Sequence, residues 1–440
     1  MGKTIGKRIL TALLLAVFWL LSAVPAQAEE ELALASQAAI LMDADTGQVL
    51  YEKNAHLQLY PASITKIMTA MLALQELEPD QVLTVSPSAV GAVPVTSSHI
   101  SLKAGEQLTV EQALYAIATM SANDAANVLA EAVSGSLSDF AVRMTDTARS
   151  LGAMDTNFTN ANGLPDSSHY TTAYDMALIT AAALKVPGLA EYFCTTEYLL
   201  SPTNLSDARV FSNKDRLLPG GQYYYEGVLM AKTGWTSSAQ GTFAAVVRRG
   251  DTTLIVIALK SPMLEDKYRD TWTLMDYGFS RYAKVFFTGE ELAEHFSLGK
   301  YEAVEGQEFA WQLPAEADPA ELAFSLGGET QLLENRRRVV TVQASIGDLV
   351  LTQWQLVLEK PLLARDVIPE LSSDPGQEEQ MEPAPEPETA DRSALLLAVP
   401  VCVVLLLLAM VRIRKIRRRR LRRSRLQARI RHMKRQIGNP

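Results

Sequence analysis

The chain has 440 residues, 48% of them hydrophobic, with two cysteines and a formal net charge of −9. Residues 412–440 hold 14 Lys/Arg and no acid, and residues 1–28 hold three basic residues, so the region 29–411 carries −26. Such an acidic region argues against nucleic acid or anionic lipid as its main target. Cys194 and the distant Cys402, within an apolar run, exclude a disulfide framework, so that region must be stable from its cores alone. At about 100–200 residues per domain it has room for two.

Lys3, Lys7 and Arg8 precede an apolar run, Ile9 to Leu21, and then Ala26-Gln-Ala28. That layout reads as a secretory signal cleaved after residue 28, with an uncleaved anchor as the alternative. Ala38-Ala-Ile-Leu-Met42, then Asp43-Ala-Asp-Thr-Gly47, then Gln48-Val-Leu-Tyr51 reads as strand, turn, strand. The single Asp45-Thr-Gly47 triplet does not make an aspartic protease, which needs two such carboxylates together. Asp43-Ala-Asp45 also breaks the spacing of a calcium loop.

Pro61-Ala-Ser63 leads into Ile64, Ile67, Met68, Met71, Leu72 and Leu74, the pattern of a buried helix. Further helices are predicted around Val110–Ser134, Leu137–Gly152 and Ala173–Leu184, and strands at Gly241–Arg248 and Thr252–Ala258. Strands flanking a helical block point to an α/β or α+β sandwich with an antiparallel sheet. From about residue 290 the texture changes. Val339-Val-Thr-Val342 and Trp354, Leu356 and Leu358 alternate with polar residues, so residues 291–365 read as a small β-rich domain.

Residues 366–392 hold nine acids and repeated prolines, the composition of an extended linker. Ala394–Val411 is an uncharged apolar run of 18 residues, long enough to span a bilayer. The expected span covers 393–412. The basic tail 413–440 then lies in the cytoplasm by the positive-inside rule, and the folded region lies outside the cell. Arginine-rich runs also occur in RNA-binding proteins, but no RNA-binding fold accompanies this one, and an anchor drawn to anionic lipid explains it. No nucleic-acid partner is expected.

The chemistry is carried by three short motifs. Ser63-Ile-Thr-Lys66 puts a hydroxyl and an amine three residues apart on one helix face, where Cβ atoms are about 5–6 Å apart. Lys66 can then take the Ser63 proton and make that hydroxyl a nucleophile. Ser297-Leu-Gly-Lys300 has the same spacing without catalytic company. Ser121-Ala-Asn123 follows the apolar run Leu114–Met120, and Lys232-Thr-Gly234 precedes a strand. Each motif alone is weak. The ordered set is that of penicillin-binding proteins and serine β-lactamases.

Together with Ala39–Asp45, Pro61–Ala70, Ser121–Glu131, Asn157–Asp175 and Gly227–Gly241, the set resembles the low-molecular-mass D-alanyl-D-alanine carboxypeptidases over roughly residues 35–285. The resemblance implies an α+β, β-lactamase/transpeptidase-like domain at 29–290 and then the small all-β domain. The transmembrane helix expected from the apolar run departs from the family, many of whose members end in an amphipathic helix on the membrane surface. It implies a peptidoglycan stem peptide ending in D-Ala-D-Ala as substrate and β-lactams as covalent inhibitors. Ser63 would attack the penultimate D-alanine carbonyl and Lys66 would act as base. Ser121 would relay a proton to the leaving amine, and Asn123 would hold Lys66 and the substrate amide. Lys232 and Thr233 would take the terminal carboxylate, Gly234 would allow close backbone approach, and the N–H groups of Ser63 and Trp235 would form an oxyanion hole.

Three rivals stay in view. A class A β-lactamase needs a glutamate for its deacylating water, and Asn160-Ala-Asn-Gly-Leu-Pro-Asp166 carries none. A metallo-carboxypeptidase needs clustered histidines, and His56, His99, His169, His295 and His432 lack that spacing, so no metal or other cofactor is expected. A non-catalytic wall-binding protein would have lost a motif, and all three are intact. Endopeptidase or transpeptidase activity on the same scaffold remains open.

Overall fold

The computed structural model describes residues 32–296, 301–332, 337–347 and 349–359. The expected signal, linker, span and tail, and the Ser297/Lys300 pair, lie outside the described residues.

A five-stranded antiparallel sheet lies between two layers of helices. Its strands are β1 (Ala38–Asp43), β2 (Val49–Lys53), β3 (Val228–Thr236), β4 (Gln240–Arg249) and β5 (Thr252–Ser261), in the order β2-β1-β5-β4-β3. All six residues of β1 are buried, because both faces of the sheet are covered. Continuous apolar runs, rather than alternating ones, are what such strands need. Burying side chains such as Ile40, Leu41 and Met42 contributes about 1.5–3 kcal/mol each.

Helices cover the two faces unequally. Helix α1 (Lys66–Glu76), α2 (Val110–Thr119), α3 (Asn123–Ser134), α4 (Leu137–Ser150) and α5 (Ala173–Ala183) form the block on one side, packed against Ile40, Met42, Met230, Val246 and Ile257. On the other side α6 (Asp266–Arg281) packs Tyr268, Leu274 and Met275 on Leu41, Phe243, Val256 and their neighbours. Gly278 brings this helix close: a Cβ there would lie 2.6 Å from Leu254 Cδ1 and 2.8 Å from Leu41 Cδ2.

The stretch expected to be helical over 110–134 is two helices. Ser121, between them, has φ +55°, a left-handed conformation that breaks the helix and costs a non-glycine residue energy. Thr109 caps α2 reciprocally with Gln112, and α3 begins anew at Asn123.

Beyond α6, Tyr282–Thr288 pairs with Glu308–Pro314. A short helix, Gly289–His295, follows the first of these strands. A four-stranded antiparallel sheet built from Glu302–Ala303, Leu322–Leu332, Arg337–Ile346 and Leu349–Glu359 completes the described chain. Val340, Val342, Leu356 and Leu358 are buried in it and packed with Leu292. Among the described residues no helix is long and apolar enough to cross a membrane.

Candidate active site

Ser63 lies in a single 3-10 turn, Ala62–Thr65, that runs directly into α1. From Pro61 to Ala70 it is the one residue that is not buried. The turn is tied to the sheet by the Thr242 hydroxyl, which donates to the Pro61 carbonyl at 2.8 Å. Gly234 lies opposite Thr242 in the β3–β4 register. A Cβ on Gly234 would come within 2.8 Å of the Ser63 nitrogen and 2.3 Å of Thr242 Oγ1, so glycine lets β3 approach the Ser63 backbone.

Lys66 is fully buried. Its Nζ donates to Asn123 Oδ1 at 2.7 Å, to the Asn162 carbonyl at 2.6 Å and to Ser63 Oγ at 3.2 Å. An ammonium fills all three positions with donors, whereas a neutral amine has two hydrogens and a lone pair. The two short contacts go to acceptors that can only accept, so a neutral Lys66 turns its lone pair to the Ser63 hydroxyl. Burial, aided by the charge of Lys232, holds the Lys66 pKa well below the usual lysine value; buried Asp124 opposes this. Asp124 in turn accepts from the N–H groups of Ile100 and Leu102 and secures the loop above α3.

Lys232, on β3, is also buried. It donates to Ser121 Oγ at 3.1 Å and to the Thr233 carbonyl at 2.8 Å. Burial and the nearby Lys267 ammonium lower its pKa, and Asp215 raises it. Ser63, Lys66 and Asn123 thus form one hydrogen-bonded set and Ser121, Lys232 and the Thr233 carbonyl another, with Gly234 against the Ser63 backbone. Trp235 differs in that the residue is 59% exposed.

Several residues at this site carry no motif. The loop Asn160–Asp166 forms a wall through its backbone. Gly163, at φ +84°, sits where a Cβ would fall 1.9 Å from the Ala62 carbonyl oxygen. The Thr69 hydroxyl and Lys66 Nζ bond the adjacent carbonyls of Ala161 and Asn162, and Asn162 Nδ2 donates to Asn127. The loop's one acid, Asp166, accepts from the Ser168 N–H within its own turn. An Asn-Gly pair is a common turn signal, but nothing in it announces contact with a lysine on α1.

His169 is a second such residue. Its Nδ1 accepts from the Thr159 N–H at 3.1 Å, so the neutral ring carries its proton on Nε2 and donates to Thr65 Oγ1 at 2.9 Å. Burial and the Lys66 charge bring its pKa down to about 4 against the pull of Asp166. Lys267, on α6, is the third: its buried ammonium donates to Thr233 Oγ1, and burial lowers its pKa to about 8.

This arrangement suits acyl transfer. It has a half-buried hydroxyl beside an amine held near its neutral form, a second hydroxyl on a lysine, and two lysines on the Thr233 side. Comparison with known proteins agrees. The family model for "D-alanyl-D-alanine carboxypeptidase", peptidase S11, matches residues 25–262. The chain is 34% identical over 285 residues to D-alanyl-D-alanine carboxypeptidase DacF of Bacillus subtilis, covering 63% of this chain and 72% of that one. Among solved structures it resembles a D-alanyl-D-alanine carboxypeptidase of Mycobacterium tuberculosis at 28% identity and TM-score 0.53, over 58% of this chain and 95% of that one. Penicillin binding protein 6B of Escherichia coli has the same fold at TM-score 0.60 and 24% identity, over 75% of this chain and 98% of its own. The polar geometry around Ser63 and these matches lead to one conclusion: the chain belongs to the peptidase S11 family of serine-type D-alanyl-D-alanine carboxypeptidases.

Proposed function

We propose that the chain removes the terminal D-alanine from peptidoglycan stem peptides through an acyl-enzyme on Ser63. Lys66 takes the Ser63 proton as Oγ bonds to the penultimate carbonyl carbon. The C–N bond to the terminal D-alanine then breaks, and its nitrogen receives a proton through Ser121. Water cleaves the resulting ester and frees Ser63. Lys232, Thr233 and Lys267 face the substrate's carboxylate, and the N–H groups of Ser63 and Trp235 receive the developing oxyanion. The observation that carries this reading is the buried Lys66 amine, 3.2 Å from Ser63 Oγ and held by two carbonyl-type acceptors.

A β-lactam places its ring carbonyl where the peptide bond would lie, and acylates the same oxygen. The wall Asn160–Asp166 carries no glutamate to activate water against that ester, and its one acid, Asp166, is exposed and accepts from the Ser168 N–H. This favours a peptidase that β-lactams inhibit over an enzyme that destroys them. The test is D-alanine release from a pentapeptide ending in D-Ala-D-Ala, with and without penicillin, for the native chain and for Ser63→Ala. Penicillin-sensitive release by the native chain alone supports the proposal; release by Ser63→Ala, or none by either, overturns it. Transfer to an added amine would instead mark transpeptidation.

The same reading extends to topology. The chain is exported by residues 1–28 and anchored by 393–412, with 413–440 in the cytoplasm. The catalytic domain 29–290 and the β-rich domain 291–365 stand outside the membrane on the linker 366–392. Composition supports this layout. Protease added to intact cells that removes the folded part and spares the tail would bear it out; protection of both would count against it.

A further inference from the structure

Asp215 has 5% of its surface exposed, in the loop between the strand Arg209–Ser212 and β3. Its Oδ1 accepts from the Leu217 N–H at 3.0 Å, and Oδ2 has no hydrogen-bond partner. The loop holds it there: the Asp215 N–H donates to Asn213 Oδ1, whose amide group donates to the Thr195 carbonyl. Asp215 shares the wall of a cavity of about 330 Å³ with Ser121, Lys232 and Thr233. A buried carboxylate with one N–H donor is costly unless cations compensate it.

The cations are at hand. Lys232 faces Asp215 from β3 and Lys267 from α6, where Tyr268 is also near. Lys214 and Arg216 flank it on its own loop, and His99 lies across the cavity. Burial pushes both lysines toward neutrality, and in each the charge of Asp215 acts in the opposite direction. Nothing else in the cavity wall supplies a carboxylate.

We propose that Asp215 is a positioning residue of this site: it is the shared counter-ion that keeps Lys232 and Lys267 as ammonium groups, and so sets the positive charge met by the substrate's terminal carboxylate. The inference rests on the carboxypeptidase reading for its substrate, but not for the charge state of the lysines. Without the carboxylate, two buried ammonium groups repel each other and one loses its proton near neutral pH.

The test compares the full chain with Asp215→Asn, Asp215→Ser and Asp215→Glu on a peptide ending in D-Ala-D-Ala and on its C-terminal amide. The two neutral variants should raise KM for the acid about tenfold and move the alkaline limb of kcat/KM about one unit toward lower pH. Turnover of the amide should fall much less than turnover of the acid, and Asp215→Glu should restore the native limb. Equal losses on acid and amide in variants with native melting temperatures would overturn the proposal. Independently of any variant, nitrogen resonances of isotope-labelled lysines in the native chain should report Lys232 and Lys267 both charged at pH 7. A neutral Lys232 or Lys267 there also overturns it. Absence of D-alanine release by the native chain would defeat the functional reading, while the lysine resonances would still decide this one.

Discussion

At the scale of single residues, reactivity here comes from where hydrogens can go. Lys66 has two firm acceptors and one hydroxyl around its nitrogen, so on losing a proton it keeps both short contacts and accepts from the hydroxyl at 3.2 Å. An arginine in its place stays charged and cannot act as base. Lys66→Arg should therefore lower the rate of penicillin acylation by about 10²–10⁴-fold, the usual contribution of general base catalysis. Stopped-flow acylation with a fluorescent penicillin measures it, and a native rate would return Lys66 to the status of a structural lysine. Gly163 acts by having no side chain. Gly163→Ala puts a methyl group on the Ala62 carbonyl, in a backbone conformation alanine disfavours. Either the wall or the Ser63 turn must shift, and a displacement of about 1 Å near the reacting atoms costs about 10²-fold in rate. A native kcat/KM in that variant would show that the wall can retreat without disturbing Ser63.

At the scale of elements, the central sheet is a rigid bench held by close contact on both faces. The Gly278 contact tests this. Gly278→Val adds three carbons where Leu41 and Leu254, both fully buried, already press. Overpacking should cost about 2 kcal/mol, more than the few tenths gained in helix propensity. A fall in the denaturant midpoint at unchanged slope is the expected result, and no fall would mean that the two leucines have free space to turn into. Elements were also where the sequence was most and least readable. The hairpin β1–β2 and strands β4 and β5 were legible because apolar runs bounded by turn residues depend on local order alone. The three motifs were legible as a set, since each brings its chemistry in its residue types. The break at Ser121 was not: the apolar pattern continues through it, and only tertiary packing forces a left-handed serine between α2 and α3. Asn162, Gly163, His169, Asp215 and Lys267 were also hidden as site residues. They act through carbonyls, missing atoms or buried charges, and nothing in their local sequence separates those roles from ordinary turn or surface residues.

At the scale of the whole molecule, the fold keeps a neutral imidazole at the foot of its nucleophile, and this ties stability to pH. An unfolded histidine titrates near pH 6.5, while buried His169 titrates at about 4. Between those values the unfolded chain binds a proton that the native chain refuses, so the stability present above about pH 6.5 is lost as pH falls toward 4. Over that window His169 contributes a loss of about 3 kcal/mol, and none below it, where both states are protonated. Asp175 works the other way: burial raises its pKa, so the native state takes up that proton more readily than the unfolded one as pH falls. The His169 contribution must therefore be read as a difference between two proteins. His169→Gln keeps an amide able to reach Thr65 and cannot titrate. It should be less stable than the native chain at pH 7, and the gap should narrow by about 3 kcal/mol on going to pH 4. Denaturant unfolding of both proteins at several pH values gives the two curves. Parallel curves would mean that His169 titrates alike in the folded and unfolded chains, and burial would then not be what keeps the imidazole neutral beside Thr65.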